Sequence, residues 1–268
     1  KGYSQHSTGI TGTVESLMNY ASPTGQKLFS VANGVIYNST ATGAATSVFT
    51  GLTNSKFQHV NISTPGGSFL VACNGADPTM VYDGTSWFKI ATTSTAQTIS
   101  TITRGGTGNL TATLTTASAH GLITGNRVTI TGADPTQFNG TYVITVTGST
   151  TFTYTMATAP AGDATTMGTY TVIGITGVNS NTFINVNLFK NRLWFTEKDT
   201  MKVWYLDPES IGGAASPLDF ASIARMGGYL QAMGTWTIDA GEGVDDYAVF
   251  VTNMGEIIVY NGTDPNDA

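Results

Sequence analysis

The chain has 268 residues but a single cysteine, three histidines and very little charge. One cysteine, Cys73, excludes an internal disulfide framework and fits assembly in a reducing cytoplasm. Asp, Glu, Lys and Arg together make up 10% of the residues, against roughly 25% in an ordinary soluble domain. With 11 Lys and Arg against 17 Asp and Glu, the net charge is −6. Phosphate contacts need clustered cations, and the sequence has no such cluster, which argues against a generic nucleic-acid-binding surface. An acidic protein can still surround a duplex that slides through it. No apolar run reaches the roughly 18 residues that a membrane-spanning helix needs. No secretory leader pattern is visible, and the first residue is Lys1 rather than methionine, so a piece of a longer protein is expected.

Glycine and threonine take the place of charge, and a surface of Thr, Ser, Asn and Gly suits β-structure with broad subunit contacts. Four hairpins recur: "KLFSVANGVIYNST" (27–40), "FLVACNGADPTMVYDG" (69–84), "RLWFTEKDTMKVWYLDP" (192–208) and "YAVFVTNMGEIIVYNGTDP" (247–265). Asn33-Gly34 and Asn74-Gly75 are strong turn signals, because both residue types tolerate the positive φ of a type I′ turn. Each second strand ends on a tyrosine: Tyr37, Tyr82, Tyr205 and Tyr260. Their separations are about 45 residues for the first pair and about 55 for the last, with a long middle gap. Removing residues 95–172 from that gap restores a spacing of about 45. Further strand signals lie between the hairpins, in "TSVFTGL" (46–52), "FQHVNI" (57–62) and "SWFKIA" (86–91). The pattern predicts an all-β fold of propeller-like repeats forming an incomplete ring. A β-sandwich with similar hairpins is the competing fold. The tyrosines are expected to pack rather than to bind.

The expected domains are 1–94 (first blades), 95–172 (insertion) and 173–268 (later blades). The insertion has four charged side chains, Arg104, Arg127, Asp134 and Asp163, and is crowded with threonine. Its two-residue alternation implies strands with one face inside, hence a small β-barrel or sandwich. The segment 207–226 is broken by Gly212, Gly213 and Pro217 and is expected to be a long loop with a short helical turn.

Signals of chemistry are few. His6, His59 and His120 show no metal-ligand spacing, and His120 precedes Gly121 as a turn residue. The one acidic cluster is "DAGEGVDDY", with Asp239, Glu242, Asp245 and Asp246, as weak candidates for a hard cation or a glycosidase carboxylate pair. A solvated acidic loop is the plainer reading. "YDGTSW" (82–87) is one residue short of a sialidase Asp-box, and Arg104, Arg127, Arg192 and Arg225 are too few for that chemistry. No phosphate-binding glycine loop occurs in a strand–turn–helix setting. Catalytic residues and cofactors are therefore expected to be absent, and the chain is not expected to be an enzyme.

The phrases "GGSFLVACNGADPTMVYDGTSW" (66–87), "LFKNRLWFTE" (188–197) and "GEIIVYNGTDP" (255–265) resemble the tail nozzle or hub proteins (packaged-DNA stabilisation proteins) of short-tailed bacteriophages. The insertion, through "AHGLITGNRVTITGADPTQFNGTYVIT" (119–145), is similar to the first catalytic-cysteine half-domain of ubiquitin-activating enzymes; Cys73 lies outside it, so only fold is implied. The resemblance implies a virion structural protein assembled in the host cytoplasm, a hexameric ring around the DNA exit channel, and portal, adaptor and other tail proteins as partners. Loops 207–226 or 239–246 would then constrict the channel, and DNA would pass without sequence-specific binding. Two other readings stand beside it: a carbohydrate- or receptor-binding β protein stacking sugars on Trp87, Trp194, Trp204 or Trp236, and a glycoside hydrolase using Asp245.

Overall fold

A computed structural model describes residues 2–239, 244–262 and 265. The fold is all-β. Among the described residues there is no α-helix, and only three short 3-10 turns interrupt the strands. The chain divides into two compact units, Lys1–Trp87 with Asn179–Ala268, and Phe88–Val178.

The first unit is a series of antiparallel meanders. Sheet 1 runs Val14–Ser22, Gly25–Ala32, Val35–Asn38 and Thr46–Phe49; sheet 2 runs Gln58–Thr64, Gly67–Cys73, Met80–Tyr82 and Trp87–Lys89. Sheet 3 runs Phe183–Phe189, Arg192–Glu197, Lys202–Tyr205 and Ser216–Asp219; sheet 4 runs Leu230–Asp239, Val244–Thr252 and Ile257–Tyr260. Neighbours in sequence pair in space, as in a propeller blade. The four repeated hairpins are the second and third strands of the four sheets, and each named tyrosine sits in the third strand. Asn33 and Gly34 adopt φ of 48° and 72°, the left-handed pair of a type I′ turn. At Gly34 a Cβ would also stand 2.4 Å from the Leu52 carbonyl oxygen, so only glycine fits.

Alternation decides how the sheets stack. Met18, Tyr20, Phe29, Val31 and Ile36 of sheet 1 share one core with Leu70, Ala72, Met80, Tyr82 and Trp87 of sheet 2. Residues of opposite parity in sheet 2, such as Val71 and Val81, turn to the other face. There the first strand of sheet 3 lies alongside, tied by Gly75 N–H to the Phe183 carbonyl at 2.8 Å and Thr79 N–H to Ser180 Oγ at 3.2 Å. Phe189, Trp194, Val203 and Tyr205 of sheet 3 pack on Leu230, Met233, Ala248 and Phe250 of sheet 4. Burying one such side chain contributes roughly 1.5–3 kcal/mol, so each joint is held by several of them. Tyr82 and Tyr260 face the preceding sheet, whereas Tyr205 faces the following one; the hairpin repeats, but its register does not. Sheets 1 and 4 do not pack on each other in this way among the described residues, which close neither a barrel nor a propeller ring.

Segment 207–226 corrects an expectation. Instead of one long loop it holds Ser216–Asp219, the fourth strand of sheet 3, paired with Lys202–Tyr205. Pro217 is tolerated because the strand lies on the sheet edge, where its missing N–H costs no ladder bond. The helical turn is present where the Ile223 and Ala224 N–H groups both donate to the Phe220 carbonyl, at 3.0 and 2.9 Å.

The second unit is a sandwich. One sheet orders Ile99–Gly105, Thr111–Thr116, Thr151–Thr155 and Thr145–Gly148; the other orders Gly140–Val143, Arg127–Asp134 and Thr166–Val172. Ile102, Leu114 and Phe152 from the first meet Val128, Ile130 and Tyr170 from the second in one core. Along Thr111–Thr116, Ala112, Leu114 and Thr116 point inward while the intervening threonines lie half-buried on the other face. Exposed threonines pair across strands, Thr129 with Thr141 at 3.0 Å and Thr131 with Thr169 at 3.3 Å. The unit is wider than the expected 95–172 because the flanks pair with each other: Ile175 N–H donates to the Ala91 carbonyl at 2.9 Å.

Candidate functional site

Sheet 4 carries the acidic cluster. Its first two strands pair from Leu230↔Thr252 to Asp239↔Val244, but the third strand covers only Ala248–Val251. Beyond Ala248 the hairpin is a two-stranded ribbon of about 13 Å, four residue pairs long. Asp239 and Asp245 lie on the backbone of this ribbon; their side chains, and the whole of Glu242, lie outside the described residues. Asp246 is the one candidate whose side chain is described. It accepts a 2.7 Å hydrogen bond from Thr237 Oγ1 and stands 3.9 Å from Lys190 Nζ. One oxygen is thus hydrogen-bonded within the fold, and the other lies near a lysine ammonium. No group of three or more His, Cys, Asp or Glu with metal-binding geometry occurs among the described residues.

The candidate stacking residues differ. Trp87 and Trp194 are buried, the latter donating from Nε1 to the Phe189 carbonyl at 3.2 Å. Trp204 is half-buried and donates to Glu197 Oε2 at 2.9 Å. Trp236 alone of the four is exposed, at 54%, with the Tyr247 ring 6.2 Å away across the ribbon.

The histidines are structural. His6 Nε2 lies 2.9 Å from the Ser39 carbonyl, and His59 Nε2 lies 3.2 Å from Asn19 Oδ1. Desolvation holds the His59 pKa below its ordinary value. His120 is the expected turn residue, its Nδ1 accepting the Leu122 N–H at 3.0 Å. Cys73 is buried, and burial pushes its thiol pKa up, away from nucleophilic use. In "YDGTSW", Asp83 Oδ1 accepts the N–H groups of Thr85 and Ser86, closing a turn.

Two features had no signal in composition or motif. A polar groove of about 600 Å³ runs where the first strands of sheets 2, 3 and 4 come together, lined by Asn54, Gln58, Asn74, Asn185, Gln231 and Lys198 among others. Beside it Asp77, 4% exposed, accepts from Thr53 N–H through both oxygens, at 3.0 and 2.8 Å, from Asn54 N–H at 3.2 Å and from Asn74 Nδ2 at 2.7 Å. This carboxylate fixes the loop that links sheets 1 and 2 against the hairpin of sheet 2. The only hint in the sequence is its place three residues after Asn74 in an Asn-Gly turn.

Glu256 makes a second clamp, accepting the N–H groups of Arg225 and Met226 at 3.0 Å. These backbone bonds hold its pKa below the ordinary carboxylate value. A depressed folded pKa means the clamp is complete above the unfolded carboxylate pKa and is lost as pH falls through the folded one. Glu256 is expected to titrate below the ordinary carboxylate value in carboxyl NMR, and the Arg225 and Met226 amide shifts should move with it. Independent titration of those amides would contradict the clamp.

No protein-family model, curated protein or solved structure matches this chain.

Proposed function

We propose that the chain is a structural component of the tail of a short-tailed bacteriophage, of the nozzle or hub kind, which surrounds the DNA exit channel and helps to retain and then release the packaged genome. The observation that carries this reading is that the four hairpins of the sequence repeat, three of which overlap the phrases that resemble that family, form the second and third strands of four successive meanders. The scarcity of charge also supports it, since subunit faces with few ions can pack without stranding a buried charge. The two-stranded ribbon that carries Asp239, Asp245 and Asp246 suits the constricting element, because carboxylates repel phosphate and let a duplex slide. In this reading the protein is carried in the virion tail, assembles in the host cytoplasm, forms a six-copy ring with portal and adaptor proteins, and has neither catalytic residues nor a cofactor.

The test is native mass spectrometry of the protein mixed with the portal and adaptor proteins of the same genome. A discrete multi-copy ring complex is expected. A protein that ignores both partners would contradict the reading. Exposure of Trp236 favours a second reading, a carbohydrate- or receptor-binding tail protein; saturable glycan binding that is lost in Trp236→Ala would replace the first.

A further inference from the structure

The polar groove beside Asp77 presents hydrogen-bonding groups that the fold does not use. The side-chain amides of Gln58 and Gln231, Nδ2 of Asn185 and the hydroxyl of Tyr229 all line it. None of these four groups has a hydrogen-bond partner among the described residues. Gln58 and Gln231 are exposed, and Asn185 and Tyr229 are half-buried. They come from sheet 2, sheet 3 and the start of sheet 4, all within the sheet unit, and meet in one groove of about 600 Å³. That size falls in the roughly 300–1,000 Å³ range of small-molecule sites.

Bonds of the fold hold the walls in place. Asn54 Nδ2 donates to the Asn74 carbonyl at 3.1 Å, and Asn74 Nδ2 donates to the Asn54 carbonyl at 2.8 Å. Asn185 Oδ1 accepts the Met233 N–H and Asn187 Nδ2 donates to the Met233 carbonyl, both at 3.2 Å, so side chains staple the first strands of sheets 3 and 4. Tyr229 exchanges two bonds with Asn253, its N–H donating to Oδ1 at 2.8 Å and its carbonyl accepting the Asn253 N–H at 2.9 Å. A site fixed in advance loses little binding energy to ordering its own groups.

The lining selects the ligand. On the outer face of sheet 4, Trp236, Ile257 and Val259 are exposed and line an apolar groove, but here polar side chains predominate. An apolar ligand would therefore gain little by leaving water. Lys56 stands 3.9 Å from Glu15, and Lys198 is followed by Asp199, so neither sign of charge is in surplus for an ionic ligand. An amide sets a donor and an acceptor side by side, and a sugar hydroxyl both donates and accepts. Tyr229 adds an aromatic ring for the apolar face of a pyranose.

We propose that this groove binds a neutral pyranose unit of an oligosaccharide through Gln58, Asn185, Gln231 and Tyr229. The site goes beyond the tail reading, does not depend on it, and lies apart from Trp236.

Side-chain amide NMR of the full chain tests it, with maltose, lactose, mannobiose and N,N′-diacetylchitobiose as probes, each titrated to about 20 mM. At least one is expected to shift the NH₂ signals of Gln58, Asn185 and Gln231 together and saturably, with a Kd on the order of 1 mM. Gln58→Ala combined with Gln231→Ala removes two exposed amides. It is expected to weaken that binding at least about tenfold while leaving the melting temperature unchanged. Trp236→Ala is expected to leave the binding intact. No saturable shift with any of the four sugars, binding that survives the double variant, loss of binding in Trp236→Ala, or a tighter response to inorganic phosphate would each overturn the proposal.

Discussion

Replacing Asp77 by alanine is expected to destabilise the sheet unit by about 3 kcal/mol or more. The side chain is 4% exposed, and its two oxygens accept from two backbone N–H groups and one amide. Removal leaves the donors of Thr53, Asn54 and Asn74 without their shared acceptor. Each unsatisfied buried donor costs about 1–3 kcal/mol, more than the bond contributed when formed. Because all of them lie on the loop after sheet 1 and the hairpin of sheet 2, the loss is concentrated at one joint. In a unit of this size the melting temperature is expected to fall by roughly 6–12 °C. Asp77→Asn separates charge from shape: it keeps the volume but turns an NH₂ toward donors, so roughly half the loss or more should persist. Thermal unfolding by circular dichroism measures both. A change of less than about 1 kcal/mol in the alanine variant would mean the network is not structural.

Trp194→Ala is expected to have an effect at least as large, about 3–5 kcal/mol. Trp194 is 1% exposed in the joint between sheets 3 and 4, with Tyr205 at 5.0 Å and Tyr260 at 5.9 Å between ring centroids. The alanine leaves a cavity walled by aromatic rings, which collapse poorly, and it strands the Phe189 carbonyl that the indole N–H satisfies at 3.2 Å. The Phe88–Val178 unit has a core of its own, built from Ile102, Leu114, Phe152 and their partners. Two unfolding transitions are therefore expected in the native protein, of which Trp194→Ala lowers only the one belonging to the sheet unit. Phe152→Ala should lower only the other. A single transition that moves with both substitutions would show that the cores do not unfold separately.

How far the fold could be read follows from the range of the interactions involved. The first hairpin was legible because its turn is local chemistry: Asn33-Gly34 needs positive φ, at 48° and 72°, whereas at Asn74-Gly75 only the glycine adopts it and the connection from Cys73 to Met80 is a longer loop. Alternation in "LTATLTT" likewise shows its inner face without a partner. Ser216–Asp219 was not legible as a strand, since it is short, carries Pro217 and becomes a strand only by pairing with Lys202–Tyr205. The limits of the insertion were missed for the same reason, because Ala91 and Ile175 find each other only in three dimensions. The tyrosine repeat gave the order of the hairpins but not the faces, and Tyr205 turns the opposite way.

The site was less legible than the fold. The acidic cluster drew notice because its residues are adjacent in sequence, yet Asp246 is taken up by Thr237 and Lys190. Asp77 and Glu256 are single carboxylates held by backbone N–H groups 23 to 31 residues away. Backbone donors have no residue code, so no motif announces them. The apolar face of sheet 4 carries no signal of its own in "GYLQAMGTWTI", since alternation places side chains on two faces without saying which is covered.

The most direct test of the tail reading is quantitative mass spectrometry of purified particles of the phage that, on this reading, encodes the chain, with portal subunits as the internal count. The reading predicts this protein in the particle in a fixed multi-copy ratio to the portal, retained after the capsid is emptied of DNA and the tail is isolated. Absence from washed particles, or presence only in the lysate that surrounds them, would contradict it.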